Sequence, residues 1–128
     1  PPPPPNGLSP VEQELFDLIN QERVARGLGR VVLREDLICA AKRHSHDVGT
    51  IRKCTHTGSD GTGPGDRVAA CNGSGWSGEI VACGHGTPRA AVDGWIGSPG
   101  HNAIMFTAGQ REIGVGMYNN YWTAIFDR

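Results

Sequence analysis

A chain of 128 residues fits a single domain and is long enough to bury a core without relying on cross-links alone. Twelve Lys and Arg against 13 Asp and Glu leave a net charge of −1, with no basic run, which excludes the field of cations that nucleic-acid binding depends on. No stretch is apolar enough to cross a bilayer, and no lipidation motif or basic amphipathic helix offers another route to a membrane.

Five consecutive prolines, Pro1–Pro5, cannot enter a helix or a sheet interior and read as the extended end of a linker. Residues 1–8 are therefore set apart from a single domain over 9–128. Ser9 caps a first helix, Pro10 suits its first position, and Glu12 completes a capping box. Val11, Leu15, Leu18 and Ile19 share one face of it, and Gly27 and Gly29 end it. A second helix begins near Glu35 or Asp36, whose charges favour a helix N-terminus. Leu37, Ala41, His44 and Val48 follow along its inner face, and Lys42-Arg43 reads as part of a solvated one.

From Thr57 to Gly78 the composition turns to Gly, Ser, Thr and Asp. This predicts a long loop, of the kind that is functional or disordered, with a short helix over Asp66–Ala70; the disulfide candidates Cys54 and Cys71 argue for order. Glu79–Cys83 is a buried strand. Thr87-Pro88 opens a third helix that buries Ala91, Val92, Trp95 and Ile96, and Ser98-Pro99-Gly100 stops it. Ile113, Val115 and Met117 then alternate with Gly114 and Gly116, Asn119-Asn120 makes a turn, and Tyr121–Phe126 returns as a hairpin. Helices first and antiparallel strands last predict an α+β fold or a three-layer αβα arrangement.

Four cysteines, Cys39, Cys54, Cys71 and Cys83, allow three pairings into two disulfides and lack the paired C-x-x-C modules of a structural zinc site. Disulfides point to an oxidising compartment, although four buried thiols are the plain alternative. The favoured pairing, Cys54–Cys71 with Cys39–Cys83, would clamp the segment after His56.

Two histidines and a glutamate sit in short Gly- or Ser-bearing motifs: Cys54-Thr55-His56-Thr57-Gly58, Ser77-Gly78-Glu79-Ile80 and Ser98-Pro99-Gly100-His101-Asn102. Neutral imidazole binds metal or moves protons near neutral pH, and a carboxylate beside it can serve as ligand or base. Around them stand Asn20-x-x-Arg23, Leu37-x-x-x-Ala41-x-x-His44-Ser45, Asp47, Arg67, Trp95-x-x-Ser98 and Ile113-Gly114-Val115-Gly116. This ordered set, from Leu15 to Phe126, resembles the CAP superfamily of cysteine-rich secretory, antigen and pathogenesis-related proteins.

The resemblance implies a central sheet that is mostly antiparallel and a cleft formed by His56, Glu79 and His101. It implies His56 and His101 as ligands of zinc or another divalent cation, with Glu79 a further ligand or a group behind them. Eukaryotic members carry a second cleft glutamate where this chain has Ser98, which leaves three of four cleft residues. The expected function is a secreted or cell-surface binding module, a monomer whose extracellular ligand is a lipid or a protein. The alternatives are a metal-dependent hydrolase with Glu79 as general base and a lipid- or sterol-binding protein.

The remaining candidates read as structural. His44, His46 and His85 are non-ligands, with His44 facing the core and making a structural hydrogen bond. Ser45 and Asp47 bond locally at a helix end, and Ser45, His46 and Asp47 are too close in sequence to form a triad. Ser98 ends a helix. Trp95, Trp122, Tyr121 and Phe126 belong to the core, whereas Trp76 stands exposed in its polar loop.

Overall fold

The computed structural model describes residues 6–128, so the proline run read as a linker lies outside the described residues. The first helix, α1 (Pro10–Ala25), starts on the predicted capping box. Ser9 Oγ accepts from the Glu12 amide at 3.3 Å, and Glu12 Oε1 accepts from the Ser9 amide at 2.8 Å. Glu12 is also buried, and it accepts from Lys42 Nζ at 2.6 Å and from the Met117 amide at 2.9 Å. One capping residue thus ties α1 to the second helix and to the sheet. Leu8, just ahead of the cap, is buried in the core.

The order continues with β1 (Val32–Leu33), α2 (Glu35–Ile51), α3 (Pro64–Ala70), β2 (Gly78–Cys83), α4 (Pro88–Ile96), α5 (Pro99–Met105), β3 (Glu112–Tyr118) and β4 (Tyr121–Asp127). The strands form one sheet in the order β1-β3-β4-β2. β3 and β4 are the predicted hairpin, closed at Tyr118↔Tyr121. Asn119 and Asn120, at φ of 53° and 64°, give the left-handed turn whose twist matches the strands. β2 pairs antiparallel with β4, but β1 pairs parallel with β3. The sheet is therefore mixed, antiparallel in two of its three pairings.

Strand alternation sorts the two faces. Ile113, Val115, Trp122, Ala124 and Phe126 pack with Leu15, Ile19, Val92 and Trp95 from α1 and α4. On the opposite face Ile125 packs with Leu37, Ala40 and Ala41 of α2 and Val68 of α3. This is the three-layer αβα sandwich. The close seating of α2 depends on glycine: a Cβ on Gly114 would lie 2.0 Å from the Leu37 carbonyl carbon, and one on Gly116 would lie 2.6 Å from the Lys42 amide nitrogen.

Two local expectations change. Ser98-Pro99 does end α4, but Pro99 also occupies the first turn of α5, so one signal stops a helix and starts another. The disulfides are Cys39–Cys71 and Cys54–Cys83, not the favoured pairing. The reason is the length of α2. Cys39 lies in its first half and Cys54 just beyond its end, with about 18 Å of helix from Cys39 to Ile51. Cys71 closes α3 beside the first half, and Cys83 ends β2 beside the other end.

Candidate functional site

Three elements converge on Glu79. It is the second residue of β2, opposite Ile125 of β4, and its side chain is only 1% exposed. His56 comes from the irregular segment after α2, and its Nδ1 donates to Glu79 Oε1 at 2.9 Å. Arg67 comes from α3, with 5% of its side chain exposed, and its Nη2 donates to Glu79 Oε2 at 2.7 Å. The same guanidinium also donates to the carbonyls of Thr62 at 2.8 Å and His56 at 3.1 Å. Arg67 thus holds the loop and the carboxylate together.

His44 forms the floor. It is fully buried on α2, donates from Nε2 to the Thr55 carbonyl at 2.6 Å, and lies 3.9 Å from Glu79 Oε1. The predicted structural hydrogen bond is present, and it fixes the backbone next to His56. Asp47 braces the same segment further on, accepting from the Ser59 amide at 2.8 Å and Ser59 Oγ at 2.6 Å. The local helix-end bonding expected of Ser45 and Asp47 is absent. Ser45 Oγ instead reaches the Gly116 carbonyl and Thr123 Oγ1 in the sheet, because both side chains leave the helix toward neighbouring elements.

His101 approaches on α5, half-buried. Gly78 permits this approach, since a Cβ there would lie 2.7 Å from Ile104 Cγ2 on α5. The glycine of the Gly-Glu motif therefore lets α5 sit close to β2. Arg23, fully buried, grips the end of α5 by donating to the carbonyls of Met105 at 2.7 Å and Thr107 at 3.1 Å.

Each ring has its own electrostatics. The hydrogen bond to Glu79 raises the His56 pKa above the ordinary imidazole value. Burial lowers that of His101, with the charge of His56 adding to the effect, as expected of rings near each other. Burial is also the largest cause of the lowered His44 value. A carboxylate oxygen can only accept from Nδ1–H, so the neutral His56 ring carries its proton on Nδ1 and a lone pair on Nε2. His56 is 53% exposed, which makes Nε2 accessible. Both Glu79 oxygens are engaged. No group of three or more His, Cys, Asp or Glu suited to an ion occurs among the described residues.

His46 is exposed and tilts against Tyr118, ring centroids 4.4 Å apart. His85 offers its carbonyl to Trp122 Nε1 at 2.8 Å. Trp95, Trp122 and Phe126 are buried and Trp76 is exposed, as the sequence indicates, while Tyr121 is only partly buried. Lys42 and Arg43 line a cavity of about 500 Å³ with His46, Asp47, Asp60 and Arg67. Arg67 is the functional residue to which sequence reasoning assigned no role. A glutamate predicted in a buried strand was the available signal, because such a carboxylate requires a cationic partner.

The pattern of the cysteine-rich secretory protein (CAP) family matches residues 16–126. The uncharacterized protein YkwD of Bacillus subtilis is 29% identical over 125 residues, which cover 95% of this chain and 49% of that protein. The chain thus spans about half the length of this relative. An extracellular protein containing an SCP domain from Bacillus anthracis superposes with a TM-score of 0.87 at 27% identity, covering 100% of this chain and 45% of the other. An outer surface protein of Borrelia burgdorferi shares the fold, with a TM-score of 0.79 at 24% identity, covering 91% of this chain and 90% of that one. With its match running from the middle of α1 to the end of β4, the chain belongs to the CAP, or cysteine-rich secretory protein, family.

Proposed function

We propose that this chain is a secreted or cell-surface binding module, a monomer whose cleft at His56 and His101 holds an exchangeable divalent cation, zinc or one like it. The observation that carries this reading is the 2.9 Å contact between His56 Nδ1 and Glu79 Oε1. It orients the ring and leaves Nε2 as the ligating atom, the arrangement by which a carboxylate behind a histidine favours metal binding. Two imidazoles fit an ion completed by water rather than a resident zinc with four protein ligands. When bound, such an ion supplies a Lewis acid to which an oxygen of the ligand can attach.

Location is supported by the two disulfides, which persist in oxidising compartments. The likeness to proteins described as extracellular or outer-surface supports it further. The hydrolase alternative needs Glu79 as a base acting on water, and a carboxylate 1% exposed with both oxygens engaged is poorly placed for that. For the cavity beside Arg67, lined largely by charged side chains, a lipid or sterol is a poor match. A polar or protein ligand fits better.

Zinc titration by calorimetry tests the reading. His56→Ala and His101→Ala should each remove most of the affinity, and Glu79→Gln should weaken it less. Affinity should also fall as pH drops through the raised His56 value, where that imidazole protonates and no longer ligates. Binding that survives both histidine substitutions would rule the cleft out as the metal site.

A further inference from the structure

The two disulfides cross. In chain order the cysteines pair first with third and second with fourth, closing spans of 32 and 29 residues. The segment shared by both rings, 54–71, carries His56 and Arg67. Each end of it is fastened to a different element: Cys71 to α2 and Cys54 to the end of β2.

The two fastenings do unequal work. Cys71 packs against the cluster of Leu37, Ala40, Ala41, Val68 and Ile125, so apolar contact holds α3 to α2 whether or not the Cys39–Cys71 bond is present. The other end has no such support. From Arg52 to Gly63 no apolar side chain is buried. The segment is held to its surroundings by polar contacts: Lys53 to Val48, Thr55 to His44, His56 to Glu79 and Arg67, Ser59 to Asp47 and Thr62 to Arg67. Water competes for all of these once the segment moves. Cys83, by contrast, is a fixed post, paired with Tyr121 in the sheet. Cys54 is exposed and so open to attack by a thiol.

We infer that the Cys54–Cys83 bond is a redox gate on the cleft: reducing it releases the 52–63 segment and separates His56 from Glu79 while the sandwich stays folded. The step is thiol–disulfide exchange with an external dithiol. A thiolate of the dithiol attacks one sulfur of the bond and forms a mixed disulfide, and its second thiol then displaces the remaining protein sulfur. The dithiol leaves as a disulfide, having given two electrons and two protons to Cys54 and Cys83. The reverse exchange reassembles the site. This goes beyond the metal reading, and its test does not require a metal.

Hydrogen exchange and limited trypsinolysis on the Cys54→Ser, Cys83→Ser double variant carry the test, with the Cys39→Ser, Cys71→Ser pair as comparison. In the first pair the amides of Gly58 and Ser59 should exchange at least about tenfold faster and trypsin should cut after Arg52 or Lys53, while β3 and β4 stay protected. The second pair should keep Gly58 and Ser59 protected. The inference is overturned if these amides stay protected without Cys54–Cys83, or if β3 and β4 open together with them. Should the double variant not fold, the native protein in rising dithiol decides. Alkylation of Cys54 and Cys83 ahead of Cys39 and Cys71, together with cleavage at Arg52 or Lys53, supports the gate. Simultaneous loss of both bonds with global unfolding refutes it.

Discussion

Arg67 and Glu79 form a buried ion pair at 2.7 Å, with 5% and 1% of their side chains exposed, and this pair organises the cleft. It joins α3 to β2 and leaves Glu79 Oε1 for His56. Glu79 thereby acts as a fixed acceptor inside the domain.

Breaking the pair from one side should be costly, because it strands a charge in the interior. Arg67→Gln is expected to lose about 3–5 kcal/mol of stability, the range for removing one partner of a buried pair. Replacing both, Arg67→Gln with Glu79→Gln, should lose less than the sum of the single changes. Urea denaturation of the four proteins checks this through a double-mutant cycle, and additive losses would contradict the pairing.

Gly114→Ala tests the seating of α2 independently of the cleft. The added methyl would meet helix backbone at 2.0 Å, which cannot rotate aside as a side chain can. A loss at or above the upper end of the roughly 1–3 kcal/mol typical of overpacking is expected, read as a drop in the thermal midpoint. An unchanged midpoint would mean that α2 does not lie this close to β3.

Disulfide connectivity can be read chemically. Cleavage of the oxidised protein after Lys, Arg and Glu separates all four cysteines. Peptide 36–42 should then be linked to 68–79, and peptide 54–67 to 80–89. Mass spectrometry should lose both linked species on reduction. A link between 54–67 and 68–79 would restore the pairing favoured from the sequence.

That pairing failed for a reason that applies to other misses. Signals confined to a few adjacent residues were legible: the capping box at Ser9 and Glu12, the caps and prolines opening α4, the Asn119-Asn120 turn and the inner-face residues of α2. What depends on how elements lie against one another was not. Two-residue β1 has no pattern of its own and exists because it pairs parallel with β3. Cys39 and Cys54 find partners at different ends of α2. Asp47 reaches Ser59 twelve residues away, and Arg67 gains its role only where α3 meets β2. The Gly-Glu motif pointed to Glu79, and its glycine proved to matter equally by admitting α5.

Acid and base should act on the histidines with opposite sign. The folded His56 pKa is raised by the hydrogen bond to Glu79. Its contribution to stability is therefore complete below the unfolded value of about 6.5 and is lost as pH rises through the folded value. The folded His44 pKa is lowered, chiefly by burial. Its contribution is complete above about 6.5 and is lost as pH falls from there through the folded value. Ring-proton NMR titration should place His56 above and His44 below the ordinary midpoint, and Glu79→Gln should bring His56 down toward it. The reverse order would contradict the assigned contacts.

The most direct test of the account is the tautomer of the neutral His56 ring. Nitrogen-15 NMR of the imidazole, recorded above its titration midpoint, distinguishes a protonated Nδ1 from a protonated Nε2. The 2.9 Å contact with Glu79 Oε1 predicts the proton on Nδ1 and a bare Nε2 available to the cleft, with the preference lost in Glu79→Ala. A ring protonated on Nε2 in the native protein would mean that Glu79 does not orient His56, and the reading of the cleft as a prepared binding site would fail.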